Sequence, residues 1–470
     1  MKKFIISVQF LLASFYTIAQ CGSFTLSTQA EVDQFGIDYT DCTEIGNLFI
    51  EGEDITDLSI LDHIIYADDI RIRNCPSLIG DISFNNLLQC RSLTINSNLN
   101  ILSVIIPELT EINGGFVFQN NNVLQSLIAP KLEQAEKVVI NGNRSIQSQD
   151  IDLTGLKLVN SIQIEESDNI ENLSFLTSLE EVEFRFDLTY NKNLKSLDGL
   201  EALVAIYSFD VFENISLENI EALSSLTNVG LQLTFSRNYS LTSLRGLHNI
   251  EWIGKGDELG FLSLSRNNSL QSLEGLENLS EVGHLLAINQ NIKLQNLDPL
   301  SNLHTVGGIV HIKSNVELTD LSGLDNVNVD NITEINLSNN WDLESCGSRF
   351  VCGYLATGKE AIIEDNKFGC RSVEQVLEDC LTSVPYEIAN DSNISLHPNP
   401  TSGYLKVVGI EKSDVREIAV LDLLGRQLNK YDSNIAIDEG IDVSNLEPGG
   451  YILQVHFMGN RVDFERFVKY

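Results

Sequence analysis

The sequence predicts a mainly β protein: a solenoid of short stacked coils with disulfide-capped ends, followed by a small β-sandwich. Three observations predict it. One phrase recurs from about residue 45 to 345, most often every 22 to 25 residues. Eight cysteines fall in two groups at the ends of that stretch, and after Cys380 the composition changes to strand-and-turn texture without the period. A fixed period of this length marks a stack in which each unit buries its apolar face only against its neighbours.

The chain of 470 residues opens with an export signal over residues 1–19. Lys2 and Lys3 give the positive start, Phe4 to Phe15 the short apolar core, and Thr17-Ile18-Ala19 the small residues before a cut at Gln20. That core is too short for a membrane span, and nothing later approaches about 20 uninterrupted apolar residues. Gln20 stands where a lipid-attachment signal wants Gly, Ala or Ser before Cys21, so ordinary cleavage is expected.

The recurring phrase reads apolar, any, apolar, two residues, Asn, two residues, Leu, two residues, Leu. Leu188 to Leu194 and Leu286 to Leu294 are clear copies. Aligned copies give a ladder of Asn98, Asn121, Asn143, Asn191, Asn214, Asn238, Asn267, Asn291, Asn315 and Asn340, with Ser167 on one rung and Cys75 at the start. The alternating apolar residues predict a short strand with one face inward, as at Phe209 and Val211. The turn that follows frees backbone groups, and an amide at a fixed position both donates and accepts, so a column of Asn satisfies them coil after coil. The leucines after each Asn, such as Leu194 and Leu197, fill the interior. This period belongs to leucine-rich solenoids. The step from Asn238 to Asn267 is longer, and the excess is placed at Gly254-Lys255-Gly256-Asp257, where glycines allow an exposed loop.

In an exported chain an even cysteine count favours disulfides over metal ligands. Cys21, Cys42, Cys75 and Cys90 form the first group; Cys346, Cys352, Cys370 and Cys380 form the second. Both sit where the end coils lack a neighbour and need caps. For the second group the expected pairs are Cys346 with Cys370 and Cys352 with Cys380; the sequence leaves other pairings open.

The middle coils read Leu-x-x-Leu-x-Gly-Leu, at Leu241 to Leu247 and Leu270 to Leu276, and earlier coils carry a proline variant at Ile106-Pro107 and Ala129-Pro130. These residues resemble the receptor L-domain family over about three hundred residues. The resemblance implies a right-handed β-solenoid spanning residues 20–380 with its cysteine caps, and a habit of binding extracellular ligands. It transfers no particular ligand.

Residues 381–393, with Pro385, read as a linker, and residues 394–470 as the sandwich, with strands expected at Tyr404 to Val408, Glu417 to Leu423, Tyr451 to Phe457 and Arg461 to Val468. Four phrases lie in order here. The first is Leu396-His397-Pro398-Asn399-Pro400-Thr401-Ser402-Gly403, and the second Val420-Leu421-Asp422-Leu423-Leu424-Gly425-Arg426. Leu446-Glu447-Pro448-Gly449-Gly450-Tyr451 and the ending Phe467-Val468-Lys469-Tyr470 complete the set. They resemble the type A C-terminal sorting domain of the type IX secretion system, with one extra glycine before Tyr451. The resemblance assigns the signal to Pro398, Asn399, Pro400, Gly403, Asp422, Gly425, Arg426, Pro448, Gly449, Tyr451 and Lys469. It implies contact with that secretion machinery, export across a Bacteroidetes outer membrane, then tail removal and anchoring to surface polysaccharide.

The net charge of −36 excludes nucleic acid and anionic membrane as partners, and serves solubility. No reactive constellation stands out, and neither a cofactor nor a metal is expected. Gly353 to Lys359 matches most of a phosphate-binding loop, but Glu360 follows where Ser or Thr must hold magnesium, so a turn in the C-terminal cap is expected. Asp150 and Asp152 imitate the start of a calcium loop whose twelfth position, Ser161, cannot chelate. The seven histidines are scattered without metal-ligand spacing. Carboxylate pairs such as Glu165 and Glu166 read as a solvated face.

In such a stack the outward strand residues line up into one sheet surface, the natural place for a ligand. Stepping four and two residues back from each ladder residue gives Gln163 and Glu165, Asp187 and Thr189, then Asp210 and Phe212, with Arg185 extending the row. An exposed Phe212 among acids and amides would stack on a sugar or anchor a protein. Farther along, Ser263, Ser265, Ala287 and Asn289 are small, so the middle coils are the expected site. The expected function is recognition or adhesion at the cell surface through a protein or glycan ligand, without catalysis. A structural part of the envelope or biofilm matrix is the alternative, and a carbohydrate-active enzyme a more distant one.

Overall fold

The structure, a computed structural model, describes residues 21–256, 259–383, 394–410, 412–422, 426–432, 440–458 and 462–470. The expected export signal and Gln20 lie outside the described residues, as does residue 384 to 393 of the expected linker. The helix Val373–Ser383 occupies the start of that linker span.

Successive coils each lay a strand beside the last, and the result is one 19-stranded sheet in which every pairing is parallel. The register follows the sequence phrase. Ile162, Phe186, Phe209, Leu233, Leu262 and Leu286 stand in line across six strands, pointing inward and 0–1% exposed. Each such side chain is worth about 1.5–3 kcal/mol when buried. A single coil holds only a handful, so the stack as a whole makes the core. The early coils add a second, four-stranded parallel sheet from Gly80–Ser83, Ile101–Ile105, Ser126–Ile128 and Ile151–Asp152. Pro107 and Pro130 follow two of these strands, and a residue without an N–H ends the ladder there. Later coils replace that strand with single 3-10 turns such as Ser174–Leu176 and Asp298–Leu300. The long step after Asn238 is taken up between Trp252–Ile253 and Phe261–Ser265 by Gly254 and Gly256, both at positive φ; Asp257 lies outside the described residues.

Both ends are capped. At the first, the helix Gln29–Asp38 is capped by Thr28, and Cys21 is bonded to Cys42. The Cys21 sulfur is thereby committed, and a lipid thioether would need the same atom. At the other, Cys346 is bonded to Cys370 and Cys352 to Cys380, as expected. Cys75 and Cys90 correct the reading of the first group as disulfide-forming: both are free and buried. Cys75 stands on the ladder, its N–H on Asn98 Oδ1 at 3.1 Å and its thiol turned to the Ile50 carbonyl. Cys90 is desolvated in the core, which pushes its thiol up to about 12. Gly353 to Lys359 forms the end of the helix Arg349–Ala356 and the turn after it, and Lys359 Nζ donates to the carbonyls of Asp330 and Ile332. It closes the last coils instead of cradling a phosphate.

The C-terminal residues form two antiparallel sheets around their own apolar core. One holds Ser395–His397, Tyr404–Val408 and Ile441–Asp442; the other holds Val415–Leu421, Gln427–Asp432, Gly449–Phe457 and Val462–Lys469.

Candidate binding face

The ladder sets the geometry of everything outside it. Asn214 shows the pattern: its Oδ1 accepts the Asn191 N–H at 3.0 Å and its Nδ2 donates to the Leu188 carbonyl at 2.7 Å. The same pair of bonds recurs at Asn238, Asn267, Asn291, Asn315 and Asn340, all fully buried. The column runs one rung beyond the sequence ladder, to Asn366, which accepts from Asn340 N–H and donates to the Leu337 carbonyl. The cysteine spacing of the cap hid it.

The residue before each rung sits at positive φ, between 49° and 61° for the non-glycine ones: Glu166, Tyr190, Glu213, Arg237, Arg266 and Gln290 among them. A left-handed residue with a side chain costs about 1–2 kcal/mol. The bond gained is its own N–H on the strand-end carbonyl of the next coil, as Tyr190 N on Phe212 O at 3.0 Å. This twist throws the side chain outward. A further surface row therefore runs beside the strand face, and the residue after each rung supplies another.

The structure places the predicted middle-coil residues on one face. Gln163, Asp187 and Asp210 stand in register, as do Glu165, Thr189 and Phe212. Arg185 belongs to a neighbouring row with Ser161 and Ser208, and a bulge before it brings its guanidinium to Asp187 and, at 3.8 Å, to Asp210. Burial, then the charge of Asp187, raise the Asp210 carboxyl above the usual range despite Arg185. Its Oδ1 is buried without a hydrogen-bond partner. Gln163 and Asn141 both donate to Glu165.

Phe212 corrects the expectation of a bare exposed ring. It is half-buried, with the Arg237 guanidinium over its face at 5.3 Å and Tyr190 against its edge at 5.4 Å. Both covering residues belong to the left-handed row, which the strand pattern alone does not reveal.

The small residues thought to offer little grip instead make room. Above Ser236, Ser265, Asn289, Lys313 and Ser338 runs a groove of about 510 Å³, walled by Arg237, Arg266, Gln290, Ser314 and Asn339. A second hollow of about 390 Å³ shares that wall and has Tyr239, Ile292 and Trp341 on its far side. Trp341 is 64% exposed. Stepping one residue back and one forward from each ladder Asn would have found both walls.

In the tail, the separated phrases meet. Asn399 donates to the Arg466 carbonyl at 2.8 Å and accepts the Val468 N–H at 2.9 Å, while along the same edge Thr401 donates its N–H to the Val468 carbonyl and its carbonyl accepts the Tyr470 N–H. Asp422 accepts from the backbone and the guanidinium of Arg426, and the Tyr451 ring stacks on Phe467. Lys469 is buried to 8% exposure, and Gly449 opens the strand that pairs with it. Gly425 lies outside the described residues.

Residues 395–469 match the family described as secretion system C-terminal sorting domain. No curated protein and no solved structure matches the chain. The sorting domain indicates type IX secretion, to the cell surface or into the medium, and so contact with that machinery. Among the described residues no helix is long and apolar enough to cross a membrane.

Proposed function

We propose that the exported body is a recognition or adhesion module, built as a right-handed leucine-rich L-domain solenoid, that holds a protein or glycan ligand on its sheet face. The body spans residues 20–380, with a linker from there to the sorting domain at 394. The observation that carries the reading is the outward face, where Arg185 reaches both Asp187 and Asp210 beside the hydrogen-bonded Glu165. A partly desolvated carboxylate with an unpartnered oxygen is a costly feature for a surface with no other task. The chain acts by holding and not by turnover: Asp187 and Asp210 both lean on Arg185, which positions them for a bound group.

The test is a screen of the purified exported protein against glycans and extracellular proteins, beside an Asp210→Ala, Phe212→Ala variant. A saturable ligand bound at least tenfold more weakly by the variant, with its circular dichroism unchanged, is the expected result. Concentration-dependent self-association with no saturable ligand would favour a matrix component instead. Conversion of a bound glycan, lost in Asp210→Asn, would establish an enzyme.

A further inference from the structure

Charge is distributed unevenly along the stack. The chain carries 66 acidic residues against 30 basic ones, and most cations on the coils lean on an acid of a neighbouring coil. Lys131 meets Glu108, Lys157 meets Glu133, Lys192 meets Asp168 and Arg245 meets Glu274. The groove above Ser265 breaks this habit, for no carboxylate lines it. Arg237 is neutralised by Glu213, but Arg266 turns its Nε to the neutral Gln290, and Lys313 has no carboxylate within ion-pair distance among the described residues. Two uncompensated cations thus sit among hydroxyls and amides in a strongly acidic protein.

The groove has defined ends and a defined wall. Glu213 stands at one end, and at the other Glu364 pairs in register with Ser338. Six strands run from that of Phe212 to that of Ser338 inclusive, and five spacings of about 4.8 Å make a length of about 24 Å. On the far side the exposed faces of Tyr239 and Trp341 flank the wall.

We propose that this groove and the hollow beside it bind a short stretch of an acidic polysaccharide, carboxylated or sulfated, with its anionic groups at Arg266 and Lys313 and a sugar face on Trp341 across the shared wall. The identification rests on the recognition reading above and gives it a ligand class. Guanidinium and ammonium groups hold carboxylate or sulfate through charge-assisted hydrogen bonds. Ser236, Ser265, Ser314 and Asn289 offer the hydroxyl and amide partners that sugar hydroxyls need, and an aromatic face accepts the apolar side of a ring. An acidic peptide fits less well. Peptides read by a sheet add to its edge through main-chain bonds, whereas this groove lies on a face whose strand N–H and carbonyl groups are already paired.

The experiment uses the exported protein and four probes: oligogalacturonate, its carboxyl-reduced neutral counterpart, poly-glutamate, and chondroitin sulfate as the sulfated arm. One of the two acidic glycans should bind saturably, and more weakly as salt rises. Arg266→Gln with Lys313→Gln should lose at least tenfold in affinity, and Trp341→Ala several-fold. All three side chains are on the surface, so melting temperature should not move. Equal binding of the neutral counterpart, preference for poly-glutamate, or acidic-glycan affinity unchanged in the double variant would each overturn the assignment. If neither acidic glycan binds while the broad screen yields another saturable ligand, this assignment falls and the recognition reading stands; if nothing binds at all, both fall.

Discussion

Asn291→Ala should destabilise the coil stack by about 2–6 kcal/mol. The side chain accepts the Asn267 N–H at 3.0 Å and donates to the Leu264 carbonyl at 2.9 Å, in a place where Asn291 is fully buried. Alanine leaves one donor and one acceptor desolvated and unpaired, at about 1–3 kcal/mol each. Water cannot replace the amide without opening the coil. The reverse change is available at the weak rung. Ser167 reaches the Ile140 carbonyl only at 3.5 Å, so Ser167→Asn should add about 1 kcal/mol by restoring the bonds of the other rungs. Chemical denaturation of the full chain measures both. A ladder that mattered little would show Asn291→Ala within about 0.5 kcal/mol of the parent, as surface changes are.

Gly275→Ala should cost about 3–5 kcal/mol, because two penalties coincide. Gly275 has φ +112°, a region that side chains avoid, and a Cβ there would lie 2.1 Å from the Leu244 carbonyl oxygen of the preceding coil. That oxygen is backbone and cannot step aside. The same approach recurs at Gly199 and Gly246, which is why the middle coils repeat Leu-x-Gly-Leu. Gly256 separates the two contributions. It has φ +72° but nothing within 4 Å of a Cβ, so Gly256→Ala should cost only the backbone strain of about 1–2 kcal/mol. Equal losses for the two variants, read from thermal unfolding, would mean that coil-to-coil contact is not what requires the glycines.

The period was legible because it is the shadow of a physical requirement: every coil must satisfy the same buried backbone groups, so the same amide returns. The sorting phrases were legible as phrases because Asp422 and Tyr451 tie their own turns together locally, while Asn399 joins the first phrase to the last. The need to close an open end accounts for the second cysteine group, and of the pairings the sequence left open the structure has the expected Cys346 with Cys370 and Cys352 with Cys380. Other features depend on residues far apart in sequence. Phe212 looks exposed until Arg237, a coil later, is laid over it. The groove is invisible in a strand pattern because it is made by what Ser265 and Asn289 lack and by the left-handed row beside them. Cys75 and Cys90 obeyed the ladder and the core instead of the oxidising compartment.

The most direct test of the central claim, that the outward sheet face is the recognition surface, is a blocking experiment on the full chain. Ser265→Cys places a thiol on the groove floor, and Asn278→Cys places one on an exposed turn outside the sheet. The native free thiols are buried, so a bulky maleimide should mark only the introduced one. With folding verified by circular dichroism, binding of the ligand found in the screen is measured before and after labelling. The face reading requires full binding in labelled Asn278→Cys, and loss of binding either in labelled Ser265→Cys or in Asp210→Ala, Phe212→Ala. Undiminished binding by both labelled Ser265→Cys and Asp210→Ala, Phe212→Ala, or loss only in labelled Asn278→Cys, would contradict it.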